Sequence, residues 1–346
     1  MIVSRTPFRI SLVGGGSDLA DYYAQAPGAV VGLSISKYMY VTVNRRFDDS
    51  IRVSYTKLEI VDRLDDLQHD LIREGLRMAG ITRGVEVTTI GDVPGGTGLG
   101  SSSSLTVGLL NALYAFQGIR LSAVELAQRA CAIEIDVLKR PIGKQDQFMA
   151  ACGGVRQLTF HRDGRVGTRS LGLSAAEGRR LVDHLLLFYT GTPRDANVIL
   201  ADVRQGLATD AARRAVLDGM VEVVHDLAAR LAAGDFSTIG DALERSWSAK
   251  RRLSDKVSNE RLDALHDRAM AAGASGAKIL GAGGGGFLLV ACDPGQRLPV
   301  SAALAAEGVR AIDFGVERSG STIIFPAARR ATTIAGARPV PLASSR

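Results

Sequence analysis

The stretch Pro94-Gly95-Gly96-Thr97-Gly98-Leu99-Gly100-Ser101-Ser102-Ser103-Ser104 decides how this chain is read. A strand-type run, Val85 to Ile90, enters it, and an apolar helix-type run, Leu105 to Phe116, leaves it. Glycines let the backbone reach positive φ and approach a ligand closely. A helix starting at about Ser101 aims its unpaired N–H groups and the positive end of its dipole at the loop. Together these make an anion cradle. Serine hydroxyls at the helix start can bond phosphate oxygens or coordinate Mg2+. A simple serine-capped helix start is the competing reading, but caps seldom come as four serines after a run of glycines. Two familiar phosphate loops are excluded. Gly95 and Gly100 have the Walker glycine spacing, yet Ser101 stands where the lysine is required. A dinucleotide fingerprint occurs as Gly281-x-Gly283-x-x-Gly286, but a strand-type run, Phe287 to Cys292, follows where a helix is needed.

Working outward, two further glycine clusters stand at strand ends. Gly14-Gly15-Gly16 closes the strand-type run Arg9 to Val13 and is followed by Ser17-Asp18. Asp18 can accept hydrogen bonds from a hydroxylated substrate or cap the segment Leu19 to Ala24. Around Ala282 lie five glycines, more than a turn between strands needs, which suggests close approach to a ligand or to the first loop. Two carboxylates follow the Gly-Ser loop. Glu134 is set in an apolar helix between Ile133 and Ile135, and Asp146 lies in Gly143-Lys144-Gln145-Asp146-Gln147. Alone, each reads as an ordinary surface residue. Beside a phosphate loop, one suits a divalent cation and the other an attacking hydroxyl.

Composition sets the frame. With 346 residues, two lobes are expected, split at about residue 180 into 1–180 and 181–346, with an irregular tail over 327–346. Strands and helices come in blocks, an α+β pattern. Helices are expected over 65–79, 123–139, 194–204, 209–233, 236–253, 258–272 and 300–307, with late strands near 309–316 and 320–325. Ser122 with Glu125 forms a capping-box pattern. Apolar residues at 46% and charged residues at 23% are ordinary for a folded protein, and aromatics at 5% disfavour base stacking. The net charge of +6 is spread along the chain without a basic run, so phosphorylated metabolites are favoured over nucleic acid. Three cysteines and five scattered histidines give no disulfide framework and no zinc spacing. No apolar stretch reaches membrane-spanning length and no signal peptide is expected, which points to the cytoplasm.

Taken in order, these segments resemble the GHMP kinases, a superfamily of small-molecule kinases, over about 1–326. Pro94 to Ser102 matches the family pattern P-x-x-x-G-L-G-S-S, and Lys278 to Gly286 matches its glycine-rich third motif. The resemblance implies a ribosomal protein S5 domain 2-like N-terminal lobe and a ferredoxin-like α+β C-terminal lobe. It implies ATP bound by Pro94 to Ser103, with Mg2+ held by Ser102 and Glu134. Asp146 falls at the position of the catalytic aspartate, and Arg9 and Lys144 are the cations that would attend its charge if they lay beside it. Arg9, Gly14 and Asp18 keep register with the sugar-binding motif of galactokinases, whereas Gly15-Gly16 replaces their Glu-His pair. The Gly-Gly-Gly-Ser-Asp form, with Tyr189 to Arg194, is similar to heptose 7-phosphate kinases and the related fucokinases. Arg9, Gly14, Gly15, Gly16, Ser17, Asp18, Asp146 and Gly283, Gly284 and Gly285 are therefore expected at the substrate, with Arg194, or else one of Lys139, Arg140 and Lys144, on its phosphate; the planar fork of arginine favours Arg194. The activity implied is phosphorylation of the anomeric hydroxyl of a heptose 7-phosphate, for nucleotide-heptose and then capsule or lipopolysaccharide synthesis. A fucokinase-type enzyme acting on an unphosphorylated sugar is the alternative, and a non-catalytic sensor on the same fold the third reading. Expected partners are a small phosphosugar, with neither nucleic acid nor membrane; a homodimer is left open.

Overall fold

The computed structural model describes residues 1–191 and 196–326. In chain order the first half contains β1 (Ile2–Val13), the short α1 (Ala20–Tyr23), β2 (Gly28–Arg45), β3 (Ile51–Ser54), β4 (Leu58–Val61), α2 (Asp70–Met78), β5 (Val85–Gly91), α3 (Ser101–Phe116), α4 (Ala123–Cys131), α5 (Gln145–Cys152), β6 (Val155–Phe160) and β7 (Val166–Ser170). The second half contains α6 (Ala175–Asp183), β8 (Leu185–Tyr189), α7 (Ala196–Thr209), α8 (Ala211–Ala232), α9 (Ile239–Arg251), α10 (Glu260–Ala271), β9 (Gly276–Ile279), β10 (Phe287–Ala291), α11 (Arg297–Ala306), β11 (Arg310–Ala311) and β12 (Thr322–Phe325).

Among the described residues these strands make two sheets. The larger runs β12-β1-β2-β5-β3-β4, and the β6–β7 hairpin is attached to the first half of β2. The smaller is β11-β8-β10-β9, all antiparallel. The sequence of β1 explains its central place. Its residues from Thr6 to Val13 are all buried, so it reads as a nearly continuous apolar run rather than a clean alternation. Phe8, Ile10 and Leu12 pack into a core shared with Leu217 and Val224 of α8 and Leu243 of α9. Helix α3 lies against β1 and β2 and is buried along most of its length, in a second core with α2 and α4. A third core fills the space between the small sheet and α10 and α11.

Two features cross the expected division at residue 180. The core around Phe8 and Leu217 is continuous across it. The last strand also leaves the second half: β12 pairs antiparallel with β1, Val3 against Phe325. Other differences are local. The expected helix over 65–79 begins only at Asp70, after a single tight turn at Leu64–Asp66. The expected helix over 123–139 changes its winding at Ala132. Ala132–Val137 is a π-helix, and Lys139 follows at φ 54°. The strand expected over 309–316 is only Arg310–Ala311. Helix α6, closed by a Ser174–Glu177 capping box, is an addition to the expected elements; the Ser122–Glu125 box is present as read.

Candidate active site

The Gly-Ser loop delivers what its residue types promise. Gly96, Gly98 and Gly100 all have positive φ, and α3 begins at Ser101 with no side chain capping its N-terminus. Its first N–H groups therefore have no serine acceptor, which removes the simple-cap reading and leaves an anion cradle. Gly100 has a further constraint. At φ 75° an added Cβ would lie 3.2 Å from Arg9 Cγ and 3.3 Å from Asp146 Oδ2. Pro94, Gly95 and Gly96 are exposed, and Ser101 and Ser102 half-buried. A cavity of about 370 Å³ lies against this face, bounded by Gly95, Gly96, Ser101, Ser102, Asp70 and Arg140. Three loop residues expected at the nucleotide face inward instead. Thr97 Oγ1 donates to Pro94 O (2.9 Å), Leu99 is fully buried with its carbonyl accepting from Arg9 N (3.0 Å), and Ser103 is buried against Glu134. They shape the loop from behind.

The second element of the site is a hydroxyl–carboxylate pair. Ser102 Oγ donates to Glu134 Oε2 at 2.8 Å, and Gln147 Nε2 donates to Glu134 Oε1 at 3.2 Å. Glu134 is fully buried, and burial pushes its carboxyl up from the usual range against the opposing pull of Ser102 and Arg140. The π-helix and the left-handed Lys139 fold the chain back, with Arg140 N donating to Glu134 O (3.0 Å). The Arg140 guanidinium then donates to Ser102 Oγ at 2.7 Å and to Asp70 at 2.9 and 3.1 Å, and stands 3.9 Å from Glu134 Oε2. Asp70 was not singled out in the sequence. A π-helical turn followed by one left-handed residue carries no i, i+4 signature, so this placement was not readable there.

The third element is an ion pair. Arg9 Nε and Nη2 each donate to one oxygen of Asp146 at 2.7 Å, while Nη1 donates to Gly98 O at 2.5 Å. Arg9 is buried and Asp146 half-buried, at the N-terminus of α5. This bidentate fork fixes the carboxylate in the plane of the guanidinium. It also ties strand, loop and helix together at one point. Asp18 lies beneath. Its Oδ1 accepts from Gly16 N (2.9 Å) and its Oδ2 from Gln145 N (3.3 Å). Burial raises its carboxyl above the usual range, and the neighbouring charge of Asp146 raises it further.

Several expected site residues are placed elsewhere. Lys144 does not reach Asp146: its ammonium donates to Gly164 O (2.7 Å) and lies 5.2 Å from the centre of the Tyr23 ring. Gly14 is structural, since a Cβ there would lie 2.1 Å from Ala29 O. Ser17 is fully buried, its hydroxyl within 2.8 Å of both Gly14 O and Ala29 O and accepting from Ala29 N (3.1 Å). That hydroxyl is taken up by the surrounding backbone. Gly16 packs on Leu217, Gly283 lies against Val257, and Gly284 lies against Ile199 with its N–H donating to Val257 O. Gly286 approaches the first loop so closely that a Cβ would meet Thr97 O, the loop-to-loop contact expected for this cluster. Arg194 lies outside the described residues.

Gly15 is different. An added Cβ would have only Gln145 Nε2 (3.6 Å) and Ser11 Oγ (3.7 Å) near it. Ser11 Oγ and Gln145 Oε1 are buried without hydrogen-bond partners among the described residues. Lys278, from the second half, also reaches this strand end. Its ammonium donates to Leu12 O (2.7 Å), Ser11 O (3.2 Å) and Ser246 Oγ (3.3 Å), and burial, with the charge of Arg9, brings it down to about 7. Ser11, Gln145, Asp70 and Lys278 are the site residues that the sequence did not assign, and Arg140, one of the expected phosphate candidates, is placed against Ser102 and Asp70. For Ser11 and Lys278 the available signal was position, inside or beside two of the quoted motifs.

Comparison with known proteins agrees with this layout. Residues 67–154 match the family model described as GHMP kinases N terminal domain, and residues 227–310 match GHMP kinases C terminal. The chain is 29% identical to a D-glycero-alpha-D-manno-heptose 7-phosphate kinase from Campylobacter jejuni, over 92% of this chain and 97% of that one. A putative sugar kinase structure from Campylobacter jejuni superposes with TM-score 0.75 at 27% identity, covering 93% of this chain and 98% of the other. A D-glycero-D-manno-heptose 1-phosphate kinase from Bacteroides thetaiotaomicron shares the fold, with TM-score 0.77 at 23% identity, 93% of this chain and 98% of that one. With both family domains in place around the Gly-Ser loop, the chain belongs to the GHMP kinases.

Proposed function

We propose that this protein is an ATP-dependent sugar kinase that phosphorylates the anomeric hydroxyl of D-glycero-D-manno-heptose 7-phosphate. The observation that carries the chemistry is the convergence at Gly100, where the uncapped start of α3 meets the Arg9–Asp146 pair. The N–H groups of α3 and the loop hold the triphosphate. Asp146, held by Arg9, orients the sugar hydroxyl and accepts its proton as the oxygen bonds to the γ-phosphorus and the bond to ADP breaks. Most of the rate gain is positioning, because a loose phosphoryl transfer asks little of a base.

Ser102 and Glu134 fit a Mg2+ ion. Among the described residues no group of three or more His, Cys, Asp or Glu gathers as a metal cage. Mg2+ in kinases takes one or two protein ligands and fills the rest with phosphate oxygens and water. The buried Glu134 carboxylate accepts from Ser102, which lines the cavity, so it would favour a cation placed beside that hydroxyl. When bound, the ion neutralises the phosphates.

Support for a polyhydroxylated substrate comes from the space over Gly15, bounded by the unpartnered Ser11 Oγ and Gln145 Oε1. Support for a heptose phosphate comes from the Campylobacter jejuni relative and from Gly15-Gly16, where galactokinases have a Glu-His pair. The product would feed nucleotide-heptose synthesis for capsule or lipopolysaccharide. The test is ADP release with heptose 7-phosphate, sedoheptulose 7-phosphate, L-fucose and galactose as acceptors. The expected order puts heptose 7-phosphate first. Turnover with fucose and none with any phosphosugar would replace this reading with the fucokinase one.

A further inference from the structure

A second cavity among the described residues lies apart from the one at the Gly-Ser loop. It holds about 760 Å³ and shares no lining residue with the nucleotide cavity. Its walls are the start of β6, the end of β7, helix α6 and the segment 314–318 that carries the chain from the small sheet back towards β12. It begins just beyond the C-terminus of α5, the helix whose N-terminus bears Asp146.

Four arginines line it: Arg156, Arg179, Arg180 and Arg318. One acidic residue, Asp183, stands among them. Elsewhere in this protein arginines are commonly matched to carboxylates, as Arg46 is to Asp48, Arg77 to Glu74 and Arg230 to Asp226. Within the described residues none of the four cavity arginines has a carboxylate within ion-pair distance. Arg156 donates to the backbone carbonyls of Gly153 (2.6 Å) and Cys152 (3.4 Å), and Arg180 lies over the Phe236 ring at 5.2 Å. Arg179 and Arg318 are exposed. Like charges gathered around a concavity raise its positive potential and concentrate anions there.

Size and lining narrow the ligand. The volume is within the range of small-molecule sites and larger than a bare phosphate needs. Guanidinium forks favour phosphate oxygens in pairs. Between the arginines, Leu173, Phe314 and Val316 supply an apolar wall, with Phe314 half-buried. We propose that this cavity is a second ligand site, separate from catalysis, that binds a nucleoside diphosphate: phosphates on the arginines, base and ribose on the apolar wall. The chain beyond Pro326 is a poor occupant on charge, since residues 327–346 include four arginines and no Asp or Glu.

The probe is GDP, with inorganic pyrophosphate as the comparison, read by hydrogen exchange over residues 170–183 and 314–318. GDP is expected to slow exchange in both segments several-fold and to bind at least tenfold tighter than pyrophosphate. The Arg179→Ala/Arg318→Ala double variant changes two exposed side chains remote from the Gly-Ser loop. It should lose this protection and keep the wild-type turnover measured without GDP. No protection by GDP, protection that survives the double variant, protection confined to 94–102, or equal affinity for pyrophosphate would each overturn the proposal. So would protection that rises with protein concentration alone, which would make the cavity an interface between copies.

Discussion

Gly100→Ala puts a single methyl group at the meeting point of the site. Two costs follow from the structure. The backbone must hold φ 75°, a left-handed conformation that costs a residue with a Cβ about 1–2 kcal/mol. Part of this is offset, by roughly 0.4–1 kcal/mol, because alanine loses less chain entropy on folding than glycine. The net loss of stability is therefore on the order of 1 kcal/mol, a fall in Tm of about 1–2 °C for a chain of this length. The second cost is local. The methyl would press on Arg9 Cγ at 3.2 Å, Asp146 Oδ2 at 3.3 Å and Arg9 Nε at 3.4 Å, so the ion pair must give by a few tenths of an ångström. A misplacement of 1 Å in a reacting geometry costs up to about 100-fold, so a shift of this size should lower kcat about tenfold. Gly118→Ala is the control. Gly118 has φ 79° with nothing within 4 Å of an added Cβ, so it carries the same backbone penalty without touching the pair. The assay is coupled ADP release at saturating ATP, beside thermal melts of both variants. Equal kcat in the two variants would refute the idea that the packing of Arg9–Asp146 on Gly100 sets the reacting geometry.

Asp146→Asn should lower turnover at least about 100-fold while the Kd for ATP, measured by calorimetry, stays within a few-fold of wild type; retained turnover would remove Asp146 from proton transfer. Glu134→Gln keeps the shape of the side chain and deletes its charge, so the extra stabilisation that Mg2+ gives over ATP alone should disappear; an unchanged Mg2+ response would exclude Glu134 as a ligand. Lys278 is brought down to about 7 from an ordinary 10.5, so between those values the unfolded chain binds the extra proton and stability rises with pH. One group contributes at most about 1.4 kcal/mol per pH unit. Urea unfolding from pH 7.5 to 9 should show a shallower slope for Lys278→Met than for wild type, and identical slopes would mean that the ammonium is not destabilised by its burial.

What the sequence disclosed was mostly local. The strand, loop and helix around Pro94 to Ser104, and the Ser122–Glu125 capping box, depend on residues a few positions apart, and they appear as read. The Arg9–Asp146 contact crosses much of the chain, and composition or periodicity cannot find it; only motif order suggested that the two belong together. Lys144 shows the limit of that signal. It stands two residues from Asp146, yet a carbonyl and an aromatic ring on another segment take its ammonium. Ser17 illustrates the same point: a polar residue beside a substrate motif was fully used by the backbone around it. The Arg140–Asp70 contact depended on a π-helical winding that has no periodic signature.

The pairing of β12 with β1 has a consequence for synthesis. The strand that carries Arg9 leaves the ribosome about 310 residues ahead of its partner at Thr322–Phe325. At about 5–20 residues per second, that edge of β1 waits roughly 15–65 s for its neighbour. An open strand edge is a template for pairing with other chains. A nascent chain released before Phe325 would thus carry a nearly complete catalytic set on a sheet with one unguarded side. Its characteristic failure would be association with other unfinished copies, ahead of any loss in the chemistry itself.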